Sequence, residues 1–294
     1  MKETIEFRIY KEHYHLLSKP NNAFFNGAVF VIKVDKGSTT FEEIKDLSKL
    51  IYKDSKDYFF SFSNIKRDYS KKEFESAKLF HMKIKTTFEP AGEEFGTLYN
   101  ESTACEICGA NRKQIGPLKL KKGTIPKKDL ARTIAGEIVV SERFKSGFEQ
   151  RNLKGLEFFS VEFAKSKSDY FQINAINELD LTINTVAGGD IFDIGADGSD
   201  AHEFTLSSGH KIKFEKEVYK CPKGHLIGLN LLSEAYVFNS PLLSENDFFK
   251  SKQKIGVKRG LLQPEPIYFC TQAFKKMVDE EKLSGFEFEV APIE

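Results

Sequence analysis

The sequence predicts an α+β fold, with a mixed N-terminal region followed by two duplicated strand-helix-strand units joined by a split zinc-ribbon-like site. Three observations lead to it. In the first 95 residues a capped helical segment sits among apolar runs of strand character. Two later segments, 130 residues apart, align without a gap in their caps, glycine and apolar pattern. A cysteine knuckle precedes each of those segments. The chain therefore divides into 1–95, an N-terminal α+β region; 96–165, the first knuckle and first repeat unit; and 166–294, the second knuckle and second repeat unit.

In chain order, Gly27 to Val34 is a β-rich apolar run, the pattern of a buried strand. Thr40-Phe41-Glu42-Glu43 reads as a capping box, in which the Thr40 hydroxyl and the Glu43 carboxylate satisfy each other's backbone N–H groups. Behind it, Phe41, Ile44, Leu47, Leu50 and Ile51 fall on one helical face. Tyr58 to Phe62 reads as a strand. Lys78 to Phe88 reads as another, with Phe80, Met82, Ile84 and Phe88 on one side at period two. His13 and His15 share a side if their segment is a strand, and are then a conceivable metal pair. Packing or surface histidines are the commoner outcome.

The aligned segments follow. Ile138 to Lys145 lies over Tyr268 to Lys275, and Leu153 to Phe158 lies over Leu283 to Phe288. Each reads as an apolar strand ending at a Ser or Thr N-cap, then a helix with Phe144 and Phe148, or Phe274 and Val278, on its buried side. Gly155 or Gly285 sits where a turn needs positive φ, and a second apolar strand completes the unit. Between the two, residues 187–202 carry Asp190, Asp193, Asp197 and Asp200. Their spacing does not match a calcium loop and reads as a solvated turn. His210 to Tyr219 reads as a strand feeding the second knuckle.

The first knuckle is Cys105-Glu106-Ile107-Cys108-Gly109, a complete C-x2-C-G. The second, Cys221-Pro222-Lys223-Gly224-His225, has histidine near the position of the second cysteine. Cys105, Cys108, Cys221 and His225 together offer three thiolates and one imidazole, a normal tetrahedral zinc set, with His210 as a spare fourth ligand. Four protein ligands close the site, so the zinc is expected to be structural. One ion would clasp the two repeat units, each giving two ligands. A thioredoxin-like redox role for the C-x2-C expects a helix N-terminus in a βαβ context, whereas the flanks here are polar and turn-like. Cys270, inside an apolar strand, reads as a buried thiol; Val140 takes its place in the other copy.

The 294 residues carry 44 basic and 43 acidic groups, a net charge of +1, so there is no general pull toward nucleic acid or an anionic membrane. The lysines at 119, 121, 122, 127 and 128 form a local basic stretch, the basis of an alternative reading as a zinc-ribbon nucleic-acid binder. The 28 Phe against no Trp make phenylalanine the main aromatic of the core. No apolar run approaches membrane-spanning length, the start carries charge where a signal peptide needs apolar residues, and four cysteines suit a reducing compartment. The expectation is a soluble cytoplasmic protein. No nucleophile elbow, phosphate loop, dinucleotide fingerprint or catalytic zinc motif occurs, and no enzymatic activity is expected.

Phe88-Glu89-Pro90-Ala91-Gly92-Glu93-Glu94, then Glu101-Ser102-Thr103-Ala104-Cys105 with Cys108-Gly109-Ala110, resemble bacterial double-CXXCG motif proteins. Ala131-Arg132-Thr133-Ile134-Ala135 and Val139-Val140-Ser141-Glu142-Arg143-Phe144 extend the likeness. The strand-Ser-helix-Gly-strand ending is similar to immunity proteins of polymorphic toxin systems. The resemblance covers about residues 85 to 294 and departs at Gly224-His225, where the motif has Cys-Gly. It implies a non-enzymatic protein whose partner is a cognate toxin that it binds and neutralises.

Overall fold

Alternation in β1 (Lys2–Tyr10) sets the first sheet of the computed structural model: Ile5, Phe7 and Ile9 are fully buried, while Glu6 and Arg8 turn away from the core. The structure describes residues 1–18, 23–106, 110–163, 166–188, 191–192, 202–205, 211–214, 223, 230–256 and 264–294. Among them the architecture is α+β, mostly sheet, with four α-helices. Contacts divide the chain into two units, one built on Met1–Glu75 and the other beginning at Ser76. Among the described residues no helix is long and apolar enough to cross a membrane.

In the first unit, β2 (Phe24–Phe25), β3 (Val29–Asp35) and β4 (Phe60–Asp68) join β1 in the order β2-β3-β1-β4, with antiparallel neighbours. The run expected over Gly27 to Val34 is thus β3. The strand expected at Tyr58 to Phe62 begins at Phe60 and runs on to Asp68, because alternation continues past Phe62 and pairs with β1 along its length. Helix α1 (Thr39–Ser55) covers the buried face. Its N-cap is Ser38, whose Oγ accepts from the Phe41 N–H at 3.2 Å, not Thr40. The capping box fails because the Glu43 carboxylate instead accepts from the backbone N–H and hydroxyl of Ser18. The buried face also departs from expectation. Phe41 and Ile44 are buried, but Ser48 and Tyr52 complete the stripe, and Leu50 lies exposed. Ser48 is tolerated there because its hydroxyl donates to the Ile44 carbonyl at 2.6 Å.

A later segment completes this core. Phe192 stacks on Phe7 (5.5 Å between centroids) and packs against Phe41 (5.0 Å) and Phe60 (6.0 Å), with Ile191 beside it. Within the stretch read from sequence as a solvated turn, these two residues are core. Its aspartates Asp190, Asp193, Asp197 and Asp200 lie outside the described residues. His13 caps a single 3-10 turn, Tyr14–Leu16, and His15 lies within it, so they do not share a strand face. The His13 ring stacks on Phe59 at 5.8 Å. A short helix, α2 (Lys71–Ser76), follows β4.

The second unit holds two larger sheets and, beside them, short two-stranded pairs. The apolar run Lys78 to Phe88 breaks into β5 (Leu79–Ile84) and β6 (Thr87–Phe88). A two-stranded arm, β7 (Leu98–Asn100) and β8 (Lys113–Ile115), precedes β9 (Lys119–Leu120), β10 (Leu130–Thr133) and β11 (Ile138–Ser141). Helix α3 (Glu142–Gln150) leads to β12 (Leu156–Phe163), which turns directly into β13 (Ser166–Ala175). Then come β14 (Asn177–Leu179) and the short strands β15 (Ala187–Gly188), β16 (His202–Thr205), β17 (Lys211–Phe214) and β18 (Asn230–Leu231). The strand expected at His210 to Tyr219 is described only as β17. The chain closes with β19 (Phe248–Gly256), β20 (Pro264–Thr271), α4 (Gln272–Glu280) and β21 (Phe286–Val290). One sheet has the order β6-β10-β11-β13-β12-β9, the other β14-β19-β20-β5-β21. Thus β5, which sequence alone grouped with residues 1–95, is paired on both sides by strands from the end of the chain.

The two helices start alike. Ser141 Oγ accepts from the Phe144 N–H at 3.2 Å, and Thr271 Oγ1 accepts from the Phe274 N–H at 3.4 Å; each such cap contributes about 1 kcal/mol. Their buried faces meet in one aromatic cluster. Phe144 lies 5.8 Å from both Phe274 and Phe286, Phe148 lies 5.5 Å from Phe158, and Phe248 lies 5.2 Å from Phe274. Gly147 lets the helices approach, since a Cβ there would already touch Met277 Sδ at 3.6 Å. After each helix the chain turns through a residue of positive φ, Asn152 or Lys282, and then a glycine, Gly155 (φ +108°) or Gly285 (φ +103°). Both glycines lie against backbone. A Cβ on Gly155 would stand 2.3 Å from the Phe248 carbonyl oxygen, and one on Gly285 would stand 2.0 Å from that of Leu130.

Candidate metal centre

The β7–β8 arm carries the first knuckle. Leu98 pairs with Ile115, Tyr99 with Gln114 and Asn100 with Lys113, so the chain between them must reverse within a dozen residues. Asn100 starts the reversal: its side-chain oxygen accepts from the Ser102 N–H at 3.0 Å. Thr103 Oγ1 then donates to the Asn111 carbonyl at 3.2 Å, and the Cys105 N–H donates to the Ala110 carbonyl at 2.7 Å. Asn111 takes φ +69° to close the loop. The described residues on either side of the knuckle are therefore pinned together, and Cys105 is buried at its start.

A charged and aromatic stand supports the arm. Arg112 donates to both carboxylate oxygens of Glu93 (2.9 and 2.8 Å) and to Glu101 (2.6 Å), and its guanidinium lies 4.1 Å over the Tyr99 ring. The hydrogen bonds from Arg112 hold the Glu93 carboxyl below its usual range. The Tyr99 hydroxyl donates to buried Glu137, which also accepts from Thr133 and from the Gly92 N–H. Burial, then Glu137, pushes the Tyr99 phenol up. From the other sheet, Lys254 Nζ donates to Asn111 Oδ1 at 3.0 Å; burial, together with Lys250, pushes its ammonium pKa down.

One described residue of the second motif contacts the first. Lys223, between Cys221 and His225, forms an ion pair with Glu106, between Cys105 and Cys108, at 2.8 Å. The residues inside the two knuckles therefore touch, though they stand more than a hundred positions apart in the chain. Of the four proposed ligands, Cys105 is described; Cys108, Cys221 and His225 lie outside the described residues, as does the spare candidate His210. Among the described residues no group of three or more potential ligands gathers elsewhere. Among the described residues the first motif gives a buried thiol, Cys105, and the second gives Lys223, paired to the neighbouring Glu106.

Cys270 is fully buried in β20, and burial pushes its thiol pKa well above the ordinary value, as expected for an inert core thiol. The exposed lysines 121, 122, 127 and 128 lie on the connection between β9 and β10.

One titratable cluster escaped sequence reading. Glu289 in β21 is 2% exposed, donated to by Lys83 and lying 3.7 Å from His81 Nδ1. Burial alone would raise its carboxyl; the adjacent His81 and Lys83 outweigh burial and hold it at about 2. A depressed carboxyl stabilises the fold above its unfolded value near 4.3, and that contribution disappears as pH falls through 2; its size is about 3 kcal/mol. Urea unfolding from pH 5 down to 2 is expected to show this loss, added to that of Asp129, whose carboxyl is also lowered. Glu289→Gln should flatten the Glu289 share. An unchanged acid limb in that variant would show that the carboxylate carries no such stability.

No family model matches the chain, and no curated protein matches it. The reading of the site rests on its own geometry and on the residues quoted above.

Proposed function

We propose that the chain is a non-enzymatic zinc-binding protein of the cytoplasm that acts by binding, an immunity protein that occludes and neutralises a cognate bacterial toxin. In this reading Cys105, Cys108, Cys221 and His225 hold one structural zinc, which clasps two copies of a strand-helix-strand unit. Four protein ligands leave no open position for a reacting water, so the zinc supplies a cross-link. The observation that supports the zinc reading is the Glu106–Lys223 ion pair at 2.8 Å, which joins one residue from inside each of the two motifs. The matching caps, glycine turns and aromatic contacts of α3 and α4 support the two-copy reading. The toxin partner rests on the resemblance of about residues 85 to 294 to double-CXXCG motif proteins and to immunity proteins of polymorphic toxin systems. A neutralising protein needs a shaped surface and no reacting group, and near-zero net charge makes any electrostatic match to the partner patchwise.

The decisive experiment pairs this protein with the products of its neighbouring genes. The expected result is rescue of cells poisoned by one of them, with a stable complex on co-purification. Failure of rescue against every toxic neighbour, together with steeply salt-dependent binding to DNA or RNA, would replace this reading with a nucleic-acid binder using the 119–128 lysines.

A further inference from the structure

The two sheets of the second unit correspond strand by strand, but each takes its central strand from the wrong side of the chain. One sheet contains β10-β11-β13-β12 and the other β19-β20-β5-β21. Within a copy that runs in chain order, β5 opens the first half and β13 opens the second. Yet β5 lies between β20 and β21, and β13 lies between β11 and β12.

The registers agree residue for residue. Val140 faces Phe171 as Cys270 faces Phe80, and Ser141 faces Tyr170 as Thr271 faces Leu79. Phe158 faces Ile173 as Phe288 faces Met82, and Leu156 faces Ala175 as Phe286 faces Ile84. The opening strands also share a pattern: Leu79-Phe80-His81-Met82-Lys83-Ile84 lies over Tyr170-Phe171-Gln172-Ile173-Asn174-Ala175, with polar residues at the same two places. Past each opening strand the correspondence continues. The Lys85 N–H donates to the Gly285 carbonyl (2.9 Å) as that of Ile176 donates to the Gly155 carbonyl (3.1 Å). Thr87 then pairs in parallel with Arg132, as Glu178 does with Lys250. Thr97 Oγ1 bonds both the N–H and the carbonyl of Lys119, and Thr185 Oγ1 does the same to Tyr236.

A reciprocal latch joins the halves. Asp129 accepts from its own half's cap, Ser141 Oγ (2.8 Å), and from the other half's glycine turn, the Ser284 N–H (2.8 Å). Asp247 accepts from Thr271 Oγ1 (2.8 Å) and from the Lys154 N–H (3.0 Å).

We infer that residues 79–163 and 166–293 are two copies of one unit that have exchanged their opening strands, each copy completing the other's sheet. The surface between β11 and β12 is thus a docking slot for a strand of the second copy, and that between β20 and β21 a slot for a strand of the first. This rests on the two-copy reading but not on zinc: the halves stay joined when the metal is gone.

The test uses the full chain with a protease recognition sequence placed between Phe163 and Ser166, and pairs of engineered cysteines oxidised before cleavage. Lys83→Cys with Glu287→Cys, on facing residues of β5 and β21, is expected to leave the two fragments as one band on a non-reducing gel. Asn174→Cys with Glu157→Cys, facing across β13 and β12, should do the same. Lys83→Cys with Glu157→Cys is expected to form no bond; a disulfide there would keep β5 in its own copy and overturn the exchange. The two-copy reading is checked apart from this. Asp129→Ala and Asp247→Ala should lower the unfolding midpoint by similar amounts, and a large effect at one with none at the other would overturn the equivalence itself.

Discussion

Replacing Gly285 with alanine is expected to cost about 3–5 kcal/mol, the largest single effect of any substitution considered for this fold. Two terms add. At φ +103° an L-residue is strained by about 1–2 kcal/mol. The new Cβ would also stand 2.0 Å from the Leu130 carbonyl oxygen, far inside contact distance. Because that oxygen is backbone, no rotamer change relieves the clash; β10 itself must move. Its movement disturbs the Asp129 and Leu130 N–H groups, both of which donate to the Ser284 carbonyl. Gly155→Ala is expected to act in the same way against Phe248, at 2.3 Å. Gly96→Ala is the control. Gly96 also has positive φ, +86°, but a Cβ there meets nothing within 4 Å, so only the strain of about 1 kcal/mol applies. Urea unfolding of the three variants separates the terms. If Gly285→Ala and Gly96→Ala lose equal stability, the close backbone approach is not what selects glycine at 285.

The second large effect concerns the metal. The purified protein is expected to contain one zinc per chain, and Cys105→Ser or His225→Ala to contain less than a tenth of that. His225→Cys should keep the metal, since it restores a fourth soft ligand, and a cobalt-substituted sample should then show the stronger thiolate charge-transfer bands of a four-sulfur site. Loss of the metal is expected to release the knuckles while the aromatic cluster stays packed, because Phe144, Phe248 and Phe274 at its centre are fully buried against one another. A fall in stability of about 2–4 kcal/mol with retained cooperativity is the expected result, in contrast to metal-dependent finger peptides that unfold outright. Undiminished zinc in Cys105→Ser would remove the split site.

What the sequence revealed and what it hid divide along contact range. The α3 and α4 units were readable because their determinants are local: a hydroxyl three residues before an N–H, phenylalanines at helical spacing, a glycine at the turn. Even local signals misled where a distant partner competed. Thr40 and Glu43 look like a capping box, but Ser18 claims Glu43, and Ser38 does the capping. Phe192 was hidden inside a stretch whose charge density pointed to water, since one aromatic ring needs no periodicity to fill a core gap. The partners of β5 were beyond reach of any pattern along the chain. Its alternation identifies a strand, but nothing local says that Phe80 will face Cys270 and Val290. Likewise, nothing local singles out Glu289 in β21; its role appears only with His81 and Lys83 beside it. For the proposed metal site, spacing suggests the ligand set, and the described residues add the Glu106–Lys223 contact that no spacing foretold.

The position of β5 has a consequence for how the protein is made. During synthesis Phe80 and Met82 leave the ribosome well before both of their strand neighbours, β20 and β21, which lie far downstream in the chain. A nascent chain ending anywhere before Val290 must carry an apolar strand with one or both edges open. Such an edge is the kind that pairs with other chains. The sheet holding β10-β11-β13-β12 has no such delay, because β13 is next to β12 in the chain, with Ser166 paired to Phe163, and can close it at once. Ribosome-bound chains are therefore expected to fold one half of this unit well before the other, with the earlier-made strand waiting for the later-made half.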